Sequence, residues 1–257
     1  MTRGLLNIGN TCYFNSAVQC LAHVPTLTNR FLREGPYEGS CEVTREYSKL
    51  VRDMWTKRSE PLNAKPLLTA FQDKFKDFTP LHQHDAHEAV LSLLDALEKS
   101  LGLDYIKPIF YGKEEQVVFF PNGQSSRTHE FMSLVVDSVQ HMKQYDKYNI
   151  LSDYVDDSGK KHHAAAVSTA IKETGHCLTV IFTQKCPAEL IPDTYHDLKL
   201  FGLVIHWGMA RGGHYAVVLK HKGQWRMIDD DTVTKVDAPD PNVMCSMAWY
   251  KKVSCNA

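Results

Sequence analysis

The feature that most constrains this chain is a change in hydrophobic period along its length. Ala86, Val90, Leu93, Leu94, Leu97 and Leu101 recur at three- and four-residue intervals, the spacing that lines one face of an α-helix. Nearer the N-terminus, Phe14, Val18, Leu21 and Ala22 share a helical face in the same way. From Cys177 onward the apolar residues come instead in short runs separated by Gly, Pro and Asp: Leu178 to Phe182, Gly202 to Trp207, His214 to Lys220, Gln224 to Ile228 and Met247 to Lys252. Runs of that length read as strands. Helices first and strands afterwards predict an α+β fold. Between them, residues 110–176 are more polar. They mix the apolar runs Gln116 to Phe120 and Phe131 to Val136 with turn signals at Asn122-Gly123 and Asp156-Asp157-Ser158-Gly159, as an insertion would.

Composition removes several function classes. A chain of 257 residues with 43% hydrophobic side chains and a net charge of -1 can bury a real core and is not a disordered segment. Near-neutral charge gives no long-range attraction for nucleic acid, so no polynucleotide partner is expected. The longest apolar stretches are far shorter than the ~20 residues of a membrane helix, and no membrane partner is expected. Asn7 and Asn10 interrupt the N-terminus before an apolar signal core could form, so no secretion signal is read there. The cysteines at 12, 20, 41, 177, 186, 245 and 255 are odd in number and never spaced Cys-x-x-Cys. That pattern predicts reduced thiols in an intracellular protein, cytoplasmic or nuclear, with no disulfide framework.

The chemistry gathers at the two ends. Gly9-Asn10-Thr11-Cys12-Tyr13 places a cysteine where a turn gives way to a helix, with Asn10 or Thr11 available as N-cap. Free backbone N–H groups and the helix dipole favour a thiolate there, so Cys12 reads as a nucleophile rather than one more small buried hydrophobe. Far downstream, Arg211-Gly212-Gly213-His214-Tyr215 sets a histidine at the start of a strand, and Met227-Ile228-Asp229-Asp230-Asp231 sets three carboxylates at the end of the next. A short Lys222-Gly223 turn would bring the two to one sheet edge. An imidazole base oriented by a carboxylate is what a thiol-dependent hydrolase needs.

These residues carry a resemblance. Gly4-Leu5-x-Asn7-x-Gly9-Asn10-Thr11-Cys12-Tyr13-x-Asn15-Ser16-x-x-Gln19-x-Leu21 resembles the cysteine box of the ubiquitin-specific protease family of deubiquitinases. His206-x-Gly208, Gly213-His214-Tyr215, Trp225 and Asp229-Asp230-x-x-Val233 resemble its histidine box. Gln83-His84-Asp85-Ala86-His87-Glu88 resembles its Gln-Gln-Asp motif, and Ala248-Trp249-Tyr250 its last palm strand. The resemblance implies one papain-like cysteine protease domain over residues 1–257. That domain would have a helical thumb to about residue 108, β fingers over about 109–176 and an antiparallel β palm from about 177, with finger and palm strands free to interleave.

The resemblance also implies roles. Cys12 falls on the nucleophile, His214 on the general base, Asp229 on the third member, and Asn7 on the oxyanion-hole side chain, in preference to a plain turn asparagine. Asp230 remains a rival to Asp229. Asp85 falls on a contact to the tail of the bound modifier, although Asp85-Ala86-His87-Glu88 also reads as a capping box. Gln83, His206, Gly213 and Tyr215 are the further candidates for substrate binding. The implied substrate is ubiquitin or a ubiquitin-like protein carried on other proteins, and the implied reaction is thiol-dependent hydrolysis after its C-terminal glycine. A catalytically silent ubiquitin-binding module would lack at least one of Cys12, His214, Asp229 and Asn7, and all four are present. The family often ties its fingers with two Cys-x-x-Cys pairs around zinc. Here those pairs would fall near Phe119 and Asn122 and near Asp156 and Gly159, so trimmed fingers and neither metal nor cofactor are expected. Pairing between Val117 to Phe120 and Leu134 to Val136 is expected to hold the fingers in place of the metal.

Overall fold

A computed structural model describes residues 2–34, 37, 40–56, 58–80, 82–143, 148–209 and 212–253. Arg211 and Cys255, both singled out in the sequence, lie outside the described residues. Six helices open the chain: α1 (Cys12–Ala22), α2 (Pro25–Arg33), α3 (Glu42–Met54), α4 (Lys65–Lys74), α5 (Ala86–Leu101) and α6 (Leu103–Phe110). The strands β1 (Gly112–Phe120), β2 (Gly123–Phe131) and β3 (Ser133–Val136) follow, then a short helix α7 (Val139–Lys143) and strands β4 (Tyr148–Val155) and β5 (Lys161–Glu173). The remainder is β6 (Cys177–Pro187), β7 (Thr194–Tyr195), β8 (Leu198–Met209), β9 (Gly212–His221), β10 (Gln224–Asp229), β11 (Thr232–Val236) and β12 (Met244–Lys252).

Helix α5 occupies the span its apolar stripe predicts, with Val90, Leu93, Leu94 and Leu97 buried on one side. Helix α1 is buried on every side, because it runs through the middle of the molecule between α5 and β9. The palm sheet has the order β11-β10-β9-β8-β12-β6-β3, with β7 attached to β8. Alternation along its central strands divides the interior into two cores. Tyr215, Val217, Leu219, Met247 and Trp249 pack towards the helices with Phe14, Phe71 and Leu93. Val218, Ala248, Tyr250 and Trp225 pack on the opposite face with Leu134, Val136 and Met142. The predicted Lys222-Gly223 turn joins β9 to β10, with both residues at positive φ, 49° and 81°, as a two-residue hairpin loop requires.

The fingers are a separate antiparallel sheet of order β2-β1-β5-β4, and here the structure corrects the sequence reading. Leu134 to Val136 does not pair with Val117 to Phe120. It forms β3, which runs parallel to β6 in the palm, so residues 133–143 of the expected finger region serve the palm. Val117 to Phe120 pairs instead with Gly123 to Ser126 of β2, around the Asn122-Gly123 turn, and with β5 on its other side. The two finger-tip hairpins meet through side chains. Phe120 stacks on Tyr154 and His162, with ring centroids 5.8 and 4.5 Å away, and Arg127 reaches Asp157 at 2.6 Å. His162 is buried with its Nε2 bonded to Asp156 at 2.8 Å, while His163 faces the other way towards Asp153. This aromatic packing at the tips offers no four convergent donors and does not fit a tetrahedral zinc ion.

Candidate active site

Cys12 is the first residue of α1 and is 2% exposed. The turn before it is built by Asn7, whose Oδ1 accepts from the N–H of Gly9 and of Thr11 and from the Thr11 hydroxyl. Gly9 and Asn10 both take positive φ, 112° and 53°, which reverses the chain and aims the helix start at the palm. Of the two N-cap candidates Thr11 occupies the position, but its side chain does not cap the helix. It accepts from Ile8 N–H and bonds Asn7 instead. The N–H groups of Tyr215, Tyr13 and Cys12 itself favour a thiolate, yet burial is the larger influence, and with Asp230 nearby it leaves the Cys12 thiol above its ordinary pKa. The sequence reading of a stabilised resting thiolate is corrected accordingly: the dipole is present, but desolvation outweighs it.

His214 opens the buried part of β9 and bonds through Nε2 to Asp229 Oδ1 at 2.5 Å. That bond leaves Nδ1 as the ring nitrogen able to take a proton from a thiol. Trp207, opposite His214 in the β8–β9 register, stacks on the imidazole with centroids 5.8 Å apart and restricts its rotation. Asp229 ends β10, and Asp230 and Asp231 form the two-residue turn into β11. Strand alternation therefore stops at Asp229, and Asp231 lies in the turn rather than on the strand. Asp230, at φ 49°, stays near the imidazole but is bonded elsewhere: its carboxylate accepts from Asn7 Nδ2 and from Asn15 Nδ2, both at 2.8 Å. His214, Asp229 and Asp230 present ligand atoms within 4.8 Å of one another. Two of them are bonded together and the third is occupied by two amides, which is an arrangement for handling protons rather than for holding a cation.

The candidates for substrate binding form a brace between the helices and the palm. Gln83 pairs its side-chain amide with the backbone of Gly213 in both directions, donating to the carbonyl and accepting from the N–H, the latter at 2.7 Å. A Cβ on Gly213 would lie 2.2 Å from the Trp207 carbonyl oxygen and 2.5 Å from His206 Nε2, so only glycine lets β8 and β9 approach here. His206 is buried and stacks flat on Tyr215, centroids 4.1 Å apart, and burial lowers its pKa. The Tyr215 hydroxyl donates to Asp85 at the start of α5, where burial and that carboxylate push the phenol pKa up. Asp85 is the N-cap of α5, accepting from His87 N–H at 3.1 Å, and its carboxylate also lies 2.8 Å from His87 Nδ1. The capping role read from the sequence is thus present. Gln83 and Gly213 bind each other, one residue before the imidazole.

Sequence reasoning missed Asn15, Trp207 and the Asn7–Asp230 bond as parts of this site. A polar residue in the middle of an apolar helix was a usable signal for Asn15, which is 3% exposed. The Asn7–Asp230 bond spans 223 residues and had none.

Comparisons with known proteins agree with this geometry. The family model for ubiquitin carboxyl-terminal hydrolases matches residues 3–250. The Drosophila melanogaster ubiquitin carboxyl-terminal hydrolase Usp2 is 38% identical over 103 residues, covering 38% of this chain and 11% of its own length. Human ubiquitin carboxyl-terminal hydrolase 15 is 31% identical over 120 residues, covering 43% of this chain and 12% of its own length. The match thus spans only about an eighth of these curated relatives. The solved SAGA Ubp8/Sgf11/Sus1/Sgf73 DUB module bound to ubiquitin aldehyde superposes with a TM-score of 0.80 at 18% identity, covering 99% of this chain and 70% of that one, and so shares the fold. The α+β architecture, the hand-like arrangement of helices and sheets, and a family match that runs from the cysteine turn to the last palm strand lead to one conclusion: this chain belongs to the ubiquitin carboxyl-terminal hydrolase family.

Proposed function

We propose that this protein is a cysteine-type hydrolase that cuts the isopeptide or peptide bond after the C-terminal glycine of ubiquitin or a ubiquitin-like modifier. One observation carries the reading: the His214–Asp229 bond leaves Nδ1 free, and the Cys12 thiol lies against the N–H of Tyr215, the next residue. In the proposed reaction His214 takes the thiol proton as Cys12 Sγ attacks the scissile carbonyl, then returns it to the leaving amine. Water hydrolyses the resulting thioester in a second step with the same base. Asn7 Nδ2 has two protons and gives one to Asp230, so the other is available to the developing oxyanion. Asp230 then acts through Asn7 and Asn15. Asp85, His206 and Tyr215 line the approach of the modifier's tail, with Gln83 and Gly213 holding that wall in place. Residues 1–257 act as a single catalytic domain in this reading. Among the described residues no helix is long and apolar enough to cross a membrane, and the unpaired cysteines suit an intracellular compartment.

The test is a panel of fluorogenic substrates, each a modifier whose C-terminal glycine is joined to a dye through an amide bond. Release of dye from one modifier, absent in Cys12→Ala, supports the reading. Equal release by Cys12→Ala, or release only from short peptides, contradicts it.

A further inference from the structure

A second site lies at the end of the palm remote from His214. Lys220 is six residues further along β9, about 20 Å away at the ~3.3 Å rise of an extended strand. There a cavity of about 700 Å³ is lined by Lys199, Lys220, Lys222, Lys251, Lys252 and His176, and by no Asp or Glu among the described residues. For a chain whose net charge is -1 this is a strong local excess of one sign. Among the described residues, Lys252 alone of the five lysines has a carboxylate within ion-pair distance, Asp197 at 3.5 Å. Lys251 and Lys220 lie instead over aromatic faces, 4.8 Å from the Phe201 centroid and 5.2 Å from that of Trp225.

The arrangement is costly in the absence of an anion. Lys251 and Lys199 are direct partners in the β12–β8 register, and like charges placed opposite each other destabilise a sheet. Burial lowers the Lys251 pKa. Beneath the cavity, burial first and neighbouring cations including Lys251 and Arg226 hold His23 down to about 3 and His221 down to about 4. The wall opposite the lysines is the first turn of α2, where Val24, Pro25 and Thr26 line the cavity. That nine-residue helix has no capping side chain and no acidic residue in its first turn. The start of α2 adds its dipole to the lysines, although Pro25 in its first turn has no N–H to offer a phosphoryl oxygen.

We propose that this cavity binds a compact polyphosphate, a small molecule carrying two or more phosphoryl groups close together. The volume lies within the range of small-molecule sites, roughly 300–1,000 Å³. Lys252 is held by Asp197, and Lys220 lies over Trp225 on the other face of the sheet. That leaves Lys199, Lys222 and Lys251 for the anion, and three ammonium groups call for more than one negative charge. None of the lining side chains is an arginine, so the planar fork that reads a single carboxylate is missing, and point charges around a cluster of oxygens are what remain. A bound anion would neutralise the Lys199–Lys251 pair, and because it binds only the folded chain it would raise stability by mass action.

Calorimetric titration of the intact chain at physiological ionic strength tests this with three probes: inorganic tripolyphosphate, inositol hexakisphosphate and ATP. The expected result is saturable one-to-one binding of at least one of them. Binding by all three assigns the recognition to phosphoryl charge alone, and binding by one assigns it to that scaffold as well. Lys199→Gln/Lys251→Gln should weaken binding by about tenfold or more, the scale of losing charge-assisted bonds, while Lys160→Gln in the fingers should not. Without ligand the double variant should melt no lower than the parent. If it fails to fold, Lys222→Gln in the exposed β9–β10 turn takes its place and should also bind more weakly. No saturable binding by any probe, parental affinity in the lysine variants, or equal binding of a glutamate-rich peptide would overturn the proposal.

Discussion

Cys12 stands where the start of α1 favours a thiolate and where burial disfavours one, and burial prevails. The resting protein therefore holds a thiol, which in the proposed reaction His214 deprotonates during attack. Inactivation by iodoacetamide should accordingly speed up as pH rises from about 6 to 8, by close to tenfold per unit, because the rate follows the thiolate fraction below the pKa. A flat rate across that range would indicate a preformed thiolate instead. Cys20, inside the same helix and fully buried, has its thiol pushed well above the ordinary value, and Cys20→Ala should leave turnover intact. The three neighbouring aspartates should separate by mechanism. Asp229→Ala removes the partner of His214 and should cost about 10²-fold or more in kcat, in line with general-base contributions. Asp230→Ala frees Asn7 and Asn15 and should also lower kcat, by less than Asp229→Ala. Asp231→Ala, in an exposed turn, should do neither. A loss in Asp230→Ala as large as in Asp229→Ala would mean that the two carboxylates share the role. Cys12 and His214 were legible as the candidate nucleophile and base because a glycine-flanked cysteine before a helix and a glycine-flanked histidine before a strand are local patterns. The function of Asp230 was not, since it depends on a left-handed backbone and on two asparagines more than two hundred residues earlier.

Helix α5 carries the second level of organisation, because its N-terminus is the hinge between helices and palm. Its stripe made it readable, and the capping box Asp85-Ala86-His87-Glu88 marked its start, where Asp85 accepts from His87 N–H. Burial pushes the Asp85 carboxyl up, but its bonds with His87 hold it below the ordinary 3.8. His87 in turn is raised above 6.5, chiefly by Asp85. The depressed carboxyl contributes stability above pH 3.8 that is lost as acid protonates it. The raised imidazole contributes stability below pH 6.5 that is lost as pH rises through its folded value. The pair is therefore complete between those limits. Asp85→Ala should cost about 1 kcal/mol, the usual worth of a cap, and chemical denaturation should show a larger loss near pH 5.5 than near pH 8. A loss that does not change with pH would mean that the Asp85–His87 ion pair contributes nothing. The strands β2, β4 and β5 were less legible than α5. β2 is almost wholly polar and exposed, so it has no alternation to read. β3 was assigned to the wrong sheet because parallel pairing with β6 joins segments more than forty residues apart with no turn to mark it.

At the scale of the whole molecule, two cores share one palm sheet, and α1 brings Cys12 to the end of β9 that carries His214. The fingers stand apart with a small core of their own around Val118, Ala165 and Val167. Their tips are joined by Phe120, Tyr154 and His162, while the exposed Arg127–Asp157 pair adds little. Activity and melting temperature should therefore be unchanged by dialysis against a chelator, followed by turnover assay and elemental analysis. Loss of fold on chelation, with one zinc per chain beforehand, would overturn the assignment of the tips. The helical half and the palm strands were legible as an α+β order because their periods differ. The way the chain interleaves them was not, because residues 133–143 leave the finger region to complete the palm. The central claim is that a thiol at residue 12 attacks the C-terminus of a ubiquitin-like modifier. Its most direct test is to incubate the protein with ubiquitin carrying a thiol-reactive C-terminal warhead, together with matching probes for ubiquitin-like proteins, and to locate the adduct by peptide mass spectrometry. The account predicts a single adduct, on Cys12, formed with at least one probe and lost in Cys12→Ala. An adduct on Cys20 or Cys41, or no adduct with any probe from a folded protein, would contradict it.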